Sequence, residues 1–270
     1  MDQALLQVNN ISKNFDRLSV LGNVSFTLAK GEVIGLVGRQ GAGKSTLFHI
    51  LSGAIPPSSG QITFDGIKRR FNNRIEAQKL GIETVYQTSS LINHFDFSNQ
   101  IFFDSGSGIE VNRRTSGLVE QFNVAQNILL GHEPKKFSLF GVIDWEQMTH
   151  VAQELLAEFD LPPSLAYEPV SNLADEQRQI ILLLRALQRP CQLLLLDDII
   201  PILSFKRQEI LLSKIKKLAS QGVSIIISSD DLKHLFTITD RIIVLYEGKL
   251  VADRQTAEST PREIVELMVG

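Results

Sequence analysis

The chain has 270 residues, 43% of them apolar, enough for the core of one large α/β domain with a smaller subdomain. A formal net charge of -3 gives no basic field to attract nucleic acid, and the single cysteine, Cys191, excludes a disulfide framework and fits a reducing compartment. No signal-peptide apolar block opens the chain, and the most apolar stretch, residues 180–205, is broken by Arg185, Arg189, Asp197 and Asp198, so the chain is expected to be soluble and to meet a membrane only through a partner.

In chain order, Val24-Ser25-Phe26-Thr27-Leu28 alternates apolar and polar residues, as a half-buried strand does. Val33-Ile34-Gly35-Leu36-Val37 is a continuous apolar run, the mark of a buried parallel strand. It feeds Gly38 and then a helix over residues 44–51, ended by Gly53 and Pro56. Gln61-Ile62-Thr63-Phe64-Asp65 alternates again between Gly60 and Gly66. The middle, residues 88–173, has loop-rich and helical character and reads as an insertion into the sheet. Within it, residues 88–101 resemble residues 115–128, which suggests a short tandem duplication. Residues 193–196 and 223–228 are two further buried strands. Between them, residues 207–219 place Ile210, Leu211, Ile215 and Leu218 on one helical face. Strands alternating with helices predict a mostly parallel α/β sheet.

Gly38-Arg39-Gln40-Gly41-Ala42-Gly43-Lys44-Ser45 fits the phosphate-binding P-loop pattern between a predicted strand and a predicted helix. Its glycines let backbone N–H groups curl round phosphate oxygens, and the following helix adds its positive end. In such a loop Lys44 reaches the β- and γ-phosphates of ATP, the Ser45 hydroxyl coordinates Mg²⁺, and Thr46 completes the binding segment. Leu193-Leu194-Leu195-Leu196-Asp197 is an apolar strand ending in a carboxylate, which suits Asp197 to the Mg²⁺ shell.

With these residues in place, the whole chain resembles the ATP-binding subunit of an ABC transporter. Phe15, after Ser12-Lys13-Asn14, matches the aromatic residue that stacks on adenine in that family. Gln87, in Val85-Tyr86-Gln87, matches the glutamine that senses Mg²⁺ and the transmembrane partner. Gln177-Arg178-Gln179 and Arg185-Ala186-Leu187 match the segment at and after the family signature, and Asp240-Arg241 matches the start of the strand after the switch histidine. Asn127-Ile128-Leu129-Leu130-Gly131-His132-Glu133-Pro134 and the tail from Thr260 to Gly270 look most like importers of simple sugars.

Several positions depart from that pattern. The usual Leu-Ser-Gly-Gly-Gln signature is here Leu173-Ala174-Asp175-Glu176-Gln177, so the serine hydroxyl is gone and carboxylates of Asp175 and Glu176 are expected near a phosphate. The catalytic glutamate position holds Asp198, one methylene shorter, followed by Ile199 in place of proline. The switch histidine falls on Asp230, which cannot donate a hydrogen bond as imidazole does; Ser229 is the next candidate in register. Ser204 stands where the aspartate of the family's D-loop is expected. His94, His132, His150 and His234 lack metal-ligand spacing, and Lys68-Arg69-Arg70 reads as a solvated face.

The resemblance implies an α/β P-loop NTPase (RecA-like) core with an antiparallel β subdomain and an inserted helical subdomain. It divides one nucleotide-binding domain over residues 1–270 into 1–87 (β subdomain and P-loop part of the core), 88–178 (helical subdomain, with an insertion near 96–123), 179–247 (remainder of the core) and 248–270 (tail). Its implied cofactors are ATP and Mg²⁺. Its implied partners are transmembrane permease subunits, a second ATP-binding subunit with a heterodimer favoured, and a solute-binding protein indirectly, with no nucleic acid. Its implied place is cytoplasmic, on the inner face of the cell membrane. The altered positions leave two readings: an importer subunit that hydrolyses ATP slowly, with Asp198, Gln87 and Asp230 at the catalytic positions, or a non-hydrolysing pseudo-ATPase with a regulatory or scaffold role in an ABC complex.

Overall fold

The computed structural model describes residues 4–87, 117–136 and 142–270. In chain order its elements are β1 (Ala4–Phe15), β2 (Leu18–Ala29), β3 (Val33–Val37), α1 (Lys44–Leu51), β4 (Ser59–Phe64), β5 (Ile67–Arg69), α2 (Arg74–Lys79) and β6 (Ile82–Tyr86). Next come α3 (Val124–Ile128), α4 (Trp145–Ala157), α5 (Asp175–Leu187), β7 (Leu193–Asp197) and α6 (Phe205–Ser220). The chain ends with β8 (Ser224–Ser228), α7 (Leu232–Ile238), β9 (Arg241–Tyr246), β10 (Lys249–Gln255) and α8 (Pro261–Val269). Two compact units result: Met1–Thr84 with Cys191–Pro201 and Leu212–Gly270, and Val85–Pro190 with Ile202–Leu211.

The first unit carries two sheets. One is antiparallel in the order β2-β1-β4-β5, and its long β1–β2 hairpin turns at Asp16, whose φ of 49° is tolerated by aspartate. The other runs β10-β9-β3-β8-β7-β6, with β3 parallel to both β8 and β9. Every residue of β3, β7 and β8 is buried, which is why these strands read as unbroken apolar runs. The core between them and α1 is built from aliphatic residues such as Ile34, Leu36, Leu47, Ile50, Leu194 and Ile226. The polar Ser224 is accommodated inside because its hydroxyl accepts from Gly31 N–H and donates to Ala29 O.

The second unit is helical among its described residues. The short helix α3 stands on a reciprocal cap: Asn123 Oδ1 accepts from Gln126 N–H at 2.8 Å, and Gln126 Oε1 accepts from Asn123 N–H at 3.0 Å. The buried Asn127 bridges Val119 in both directions, accepting its N–H at 2.8 Å and donating to its carbonyl at 3.1 Å. Leu118 and Val119 are themselves fully buried. Thus residues 117–123, counted above in the insertion, are packed into this unit. The rest of that insertion lies outside the described residues, including Ile101-Phe102-Phe103, Asp104 to Gly108 and Ile109-Glu110-Val111, whose order in the sequence reads as strand, turn, strand; so do the first copy of the repeat over residues 88–101 and His94.

Candidate phosphate-binding site

The loop from Gly38 to Ser45 leaves the C-terminal end of β3, the central parallel strand, and enters α1. Its glycines have separate reasons. Gly38 has φ 154°, and a Cβ there would lie 2.3 Å from the Leu245 carbonyl oxygen. Gly43, at φ 101°, caps α1, and a Cβ there would strike Leu21 Cδ2 at 2.6 Å. Gly41, at φ 82°, faces space in which a Cβ would meet nothing within 4 Å. Gly38 is therefore fixed by backbone packing, Gly43 by its left-handed turn against the Leu21 side chain, and Gly41 by its turn alone, and the loop's outer side is left open. Arg39, Gln40 and Gly41 are exposed, whereas Ala42 and Gly43 are buried.

The loop is clamped from behind by the second strand of the hairpin. Gly22 N–H donates to Gly248 O at 2.9 Å, and Gly248 N–H donates to Ala42 O at 3.1 Å. This link passes from β2 through the β9–β10 turn to the loop, and no local sequence signal announces it. Phe15 ends β1 half-buried, with Lys13 Nζ 5.0 Å from its ring centroid. It is thus neither a fully buried core residue nor a fully exposed one.

Around Lys44 the unit gathers three carboxylates. Asp197 ends β7 fully buried; it accepts from the Ser228 hydroxyl at 2.8 Å and is hydrogen-bonded by Ser45. Burial raises its carboxyl above the ordinary range, against those two hydroxyls and the attraction of Lys44. Asp198 follows at φ 50°, its N–H held by the Ser228 hydroxyl at 2.9 Å and the Ser228 carbonyl at 3.2 Å. Its Oδ1 is buried with no hydrogen-bond partner. Burial, then the charges of Asp230 and Asp197, push its carboxyl upward, with Lys44 opposing. Asp230 is exposed in the loop before α7 and pairs with Lys44 Nζ at 3.1 Å. Ser229 beside it is buried, and its hydroxyl accepts from Asp231 N–H at 3.1 Å. Ser228, which serves both Asp197 and Asp198, was missed as a site residue in the sequence; the Ser228-Ser229 pair at a strand's end was its only signal.

The residues present suit a nucleotide phosphate with a divalent ion. The open loop offers backbone N–H groups, Lys44 offers the charge, and the Ser45 hydroxyl stands on the Asp197 carboxylate as an all-oxygen donor pair suited to Mg²⁺. A separate cavity of about 400 Å³, lined in part by Lys68, Arg69 and Arg70, shares no residue with the loop.

Gln87 and the signature segment belong to the second unit. Gln87 is half-buried directly after β6. At the preceding residue, the Tyr86 carbonyl accepts from Gln179 Nε2 of α5 at 3.1 Å. Leu173 is buried, Ala174 is exposed at the start of α5, and Gln177 Oε1 accepts from Ala174 N–H at 3.0 Å. Asp175 and Glu176 occupy the first turn, where negative charge is favoured. Glu176 is tied down further: it accepts from Ser204 N–H at 2.6 Å and pairs with Arg207 at 2.5 Å. Burial raises its carboxyl, but the Ser204 bonds and Arg207 together outweigh this and hold it below the ordinary range. Its charge is largely offset within the unit, which weakens the expected repulsion of a phosphate at this position.

A parallel sheet whose central strand opens into a phosphate loop, with a buried aspartate ending a strand of the same sheet, defines the P-loop nucleotide-binding class. Within that class the chain belongs to the ABC transporter family, whose model matches residues 21–200. It is 32% identical over 272 residues to the xylose import ATP-binding protein XylG of Thermoanaerobacter pseudethanolicus, covering 100% of this chain and 48% of that protein. It is 34% identical over 269 residues to the ribose import ATP-binding protein RbsA 1 of Rubrobacter xylanophilus (98% and 47%), and 32% over 268 to the galactofuranose transporter ATP-binding protein YtfR of Escherichia coli K12 (99% and 47%). The chain spans about half the length of these curated relatives. Its fold is that of a solved ATP-binding cassette dimer bound to ADP and Pi, at a TM-score of 0.73 and 21% identity over 93% of this chain and 98% of that one. A nucleotide-free cassette also matches at a TM-score of 0.73, with 20% identity over 99% of this chain and 100% of that one.

Proposed function

We propose that this chain is an ATP-binding subunit of an ABC importer for a sugar or similar small solute. It binds Mg-ATP through residues 38–46 and couples that binding, with slow hydrolysis, to membrane partners. The observation that carries this reading is the open loop on β3 with Lys44, Ser45 and Asp197 gathered at its base. Ser45 and Asp197 would hold Mg²⁺, with Gln87 as a further contact, and Phe15 would stack on the adenine. A bound divalent ion supplies positive charge against phosphate oxygens. Asp198 orients or deprotonates the attacking water, and Asp230 occupies the switch position.

The partners in this reading are transmembrane permease subunits, a second ATP-binding subunit in a heterodimer, and a solute-binding protein indirectly. Among the described residues no helix is long and apolar enough to cross a membrane; in this reading the chain sits on the cytoplasmic face through those partners. The similarity to xylose, ribose and galactofuranose transport proteins supports a sugar as solute. The test is calorimetric titration of Mg-ATP into the wild-type chain and Lys44→Ala. Lys44→Ala is expected to lose most of the affinity, and equal affinity in the two proteins would overturn the phosphate site.

A further inference from the structure

We infer that Asp230 is a tethered competitor of the terminal phosphate for Lys44, so that the site favours a nucleoside diphosphate over a triphosphate. The inference rests on the nucleotide-binding reading above. An ammonium group has three donors. In Lys44 all three are met by protein oxygens: the Gly38 carbonyl, the Arg39 carbonyl at 3.4 Å and Asp230 Oδ1 at 3.1 Å.

The two carbonyls belong to the loop itself and cannot leave without unfolding it. Asp230 is the one partner free to yield, because its side chain is 61% exposed while that of Lys44 is only 12% exposed. A P-loop lysine spans the β- and γ-phosphates. A diphosphate makes one demand on it and leaves room for Asp230 to stay. A triphosphate makes two and brings its terminal charge next to the displaced carboxylate. Asp198 adds to the same effect, since its buried Oδ1 has no donor to neutralise it and it lies in the field of Asp230. The charged groups of the surrounding elements are Lys44 on α1, Asp197 on β7 and Asp198 after it, so Lys44 is the single cation in this set.

The experiment is calorimetry on the full chain with Mg-ADP and with the Mg complex of a non-hydrolysable ATP analogue. Wild type is compared with Asp230→Asn, which keeps the shape and removes the charge, and with Asp230→Ser as a second variant. In both variants the analogue is expected to bind roughly fivefold more tightly, the upper range for releasing a part-exposed ion pair, while Mg-ADP changes by less than about twofold. The wild-type preference for Mg-ADP is expected to narrow in high salt, because one side of the pair is open to solvent. Binding of both nucleotides with an unchanged ratio in Asp230→Asn and Asp230→Ser overturns this inference alone. Binding of neither by the wild-type chain overturns the nucleotide site and the inference with it.

Discussion

At the scale of single residues, Asp198 shows how function and stability pull apart. Its backbone sits at φ 50° and its Oδ1 is buried without a partner. Burial first, then Asp230 and Asp197, raise its carboxyl in the folded state. The folded chain therefore binds this proton more tightly than the unfolded chain. The penalty is absent below the unfolded pKa, grows as pH rises through the window between the two values, and is fully present above the folded one. Asparagine tolerates the same left-handed backbone and carries no charge. Asp198→Asn is expected to raise Tm at pH 7 by up to about 2 °C, less than the shift of about 1 kcal/mol in a chain of this size, because the side chain is half open to solvent, which screens its charge. The gain should shrink toward zero as pH is lowered to about 4, near the ordinary aspartate value. Scanning calorimetry across pH checks both size and sign, and a gain that grows on acidification would contradict the burial argument. The same residue sets the expected chemistry. A base must reach the attacking water, and an error of about 1 Å costs roughly a hundredfold. Asp198→Glu with Asp230→His is expected to raise turnover by roughly 10- to 100-fold beside a partner subunit with an intact signature. Glutamate is less at ease at this φ than aspartate, so the variant should be somewhat less stable. Steady-state phosphate release measures the gain, and an unchanged rate would show that these positions do not limit it.

At the scale of elements, legibility in the sequence followed burial. Strands β3, β7 and β8 are buried at every residue and were visible as apolar runs; α1 was visible because Gly38 to Lys44 announces its start. Strand β1 was not, because its pairing is broken by register shifts between Val8 and Lys13 and by Asn10 at φ 50°. Strand β10 is a mostly exposed edge reading Lys-Leu-Val-Ala-Asp-Arg-Gln, with no clean alternation. The loop of the candidate phosphate site, between β3 and α1, could be placed from the sequence, whereas its clamp at Gly248 could not, since that contact joins segments about 200 residues apart. The same holds for the start of α5. In Leu173-Ala174-Asp175-Glu176-Gln177 the sequence shows only added negative charge; the structure adds Ser204 and Arg207 as partners of Glu176. Arg207 also donates to the Phe159 and Asp160 carbonyls, so it is held in place whether or not Glu176 is present. Preorganised, charge-assisted bonds of this kind contribute about 1.5–3 kcal/mol, against 0.2–1 for exposed pairs. A double-mutant cycle with Glu176→Ala and Arg207→Ala, read by urea denaturation, is expected to give a coupling of about 1–2 kcal/mol. A coupling indistinguishable from zero would mean that the pair is a surface contact and that Arg207 does not offset the charge of Glu176.

At the scale of the whole molecule, the open matter is how residues 88–128 arose and what they add. If residues 88–101 and 115–128 are copies, Leu91-Ile92-Asn93-His94-Phe95-Asp96 is equivalent to Leu118-Val119-Glu120-Gln121-Phe122-Asn123. The described copy has demanding seats. Leu118 and Val119 are buried, Asn127 needs the backbone of Val119, Asn123 caps α3, and Glu120 makes a two-pronged bond to Arg178 at 2.8 and 3.0 Å. Deleting residues 97–123 joins Asp96 to Val124. The duplication reading then puts Leu91 and Ile92 in the two buried seats and Asp96, a good capping residue, at the head of α3. Two seats are filled wrongly: Asn93 replaces Glu120 and leaves Arg178 without its carboxylate, and Ser90 replaces Gly117, whose φ of 77° suits glycine. The shortened chain is therefore expected to fold, bind Mg-ATP as before, and lose about 1–3 kcal/mol of stability. Adding Asn93→Glu to the deletion should restore most of that loss. Extending the deletion by one residue, to 96–123, removes the cap as well and should cost about 1 kcal/mol more. Urea denaturation of the three shortened chains orders them. If the segments are unrelated, two buried aliphatic side chains are lost outright at about 2–5 kcal/mol each, and Asn93→Glu rescues nothing. That outcome would remove the duplication and leave residues 117–123 as the single occupant of those seats.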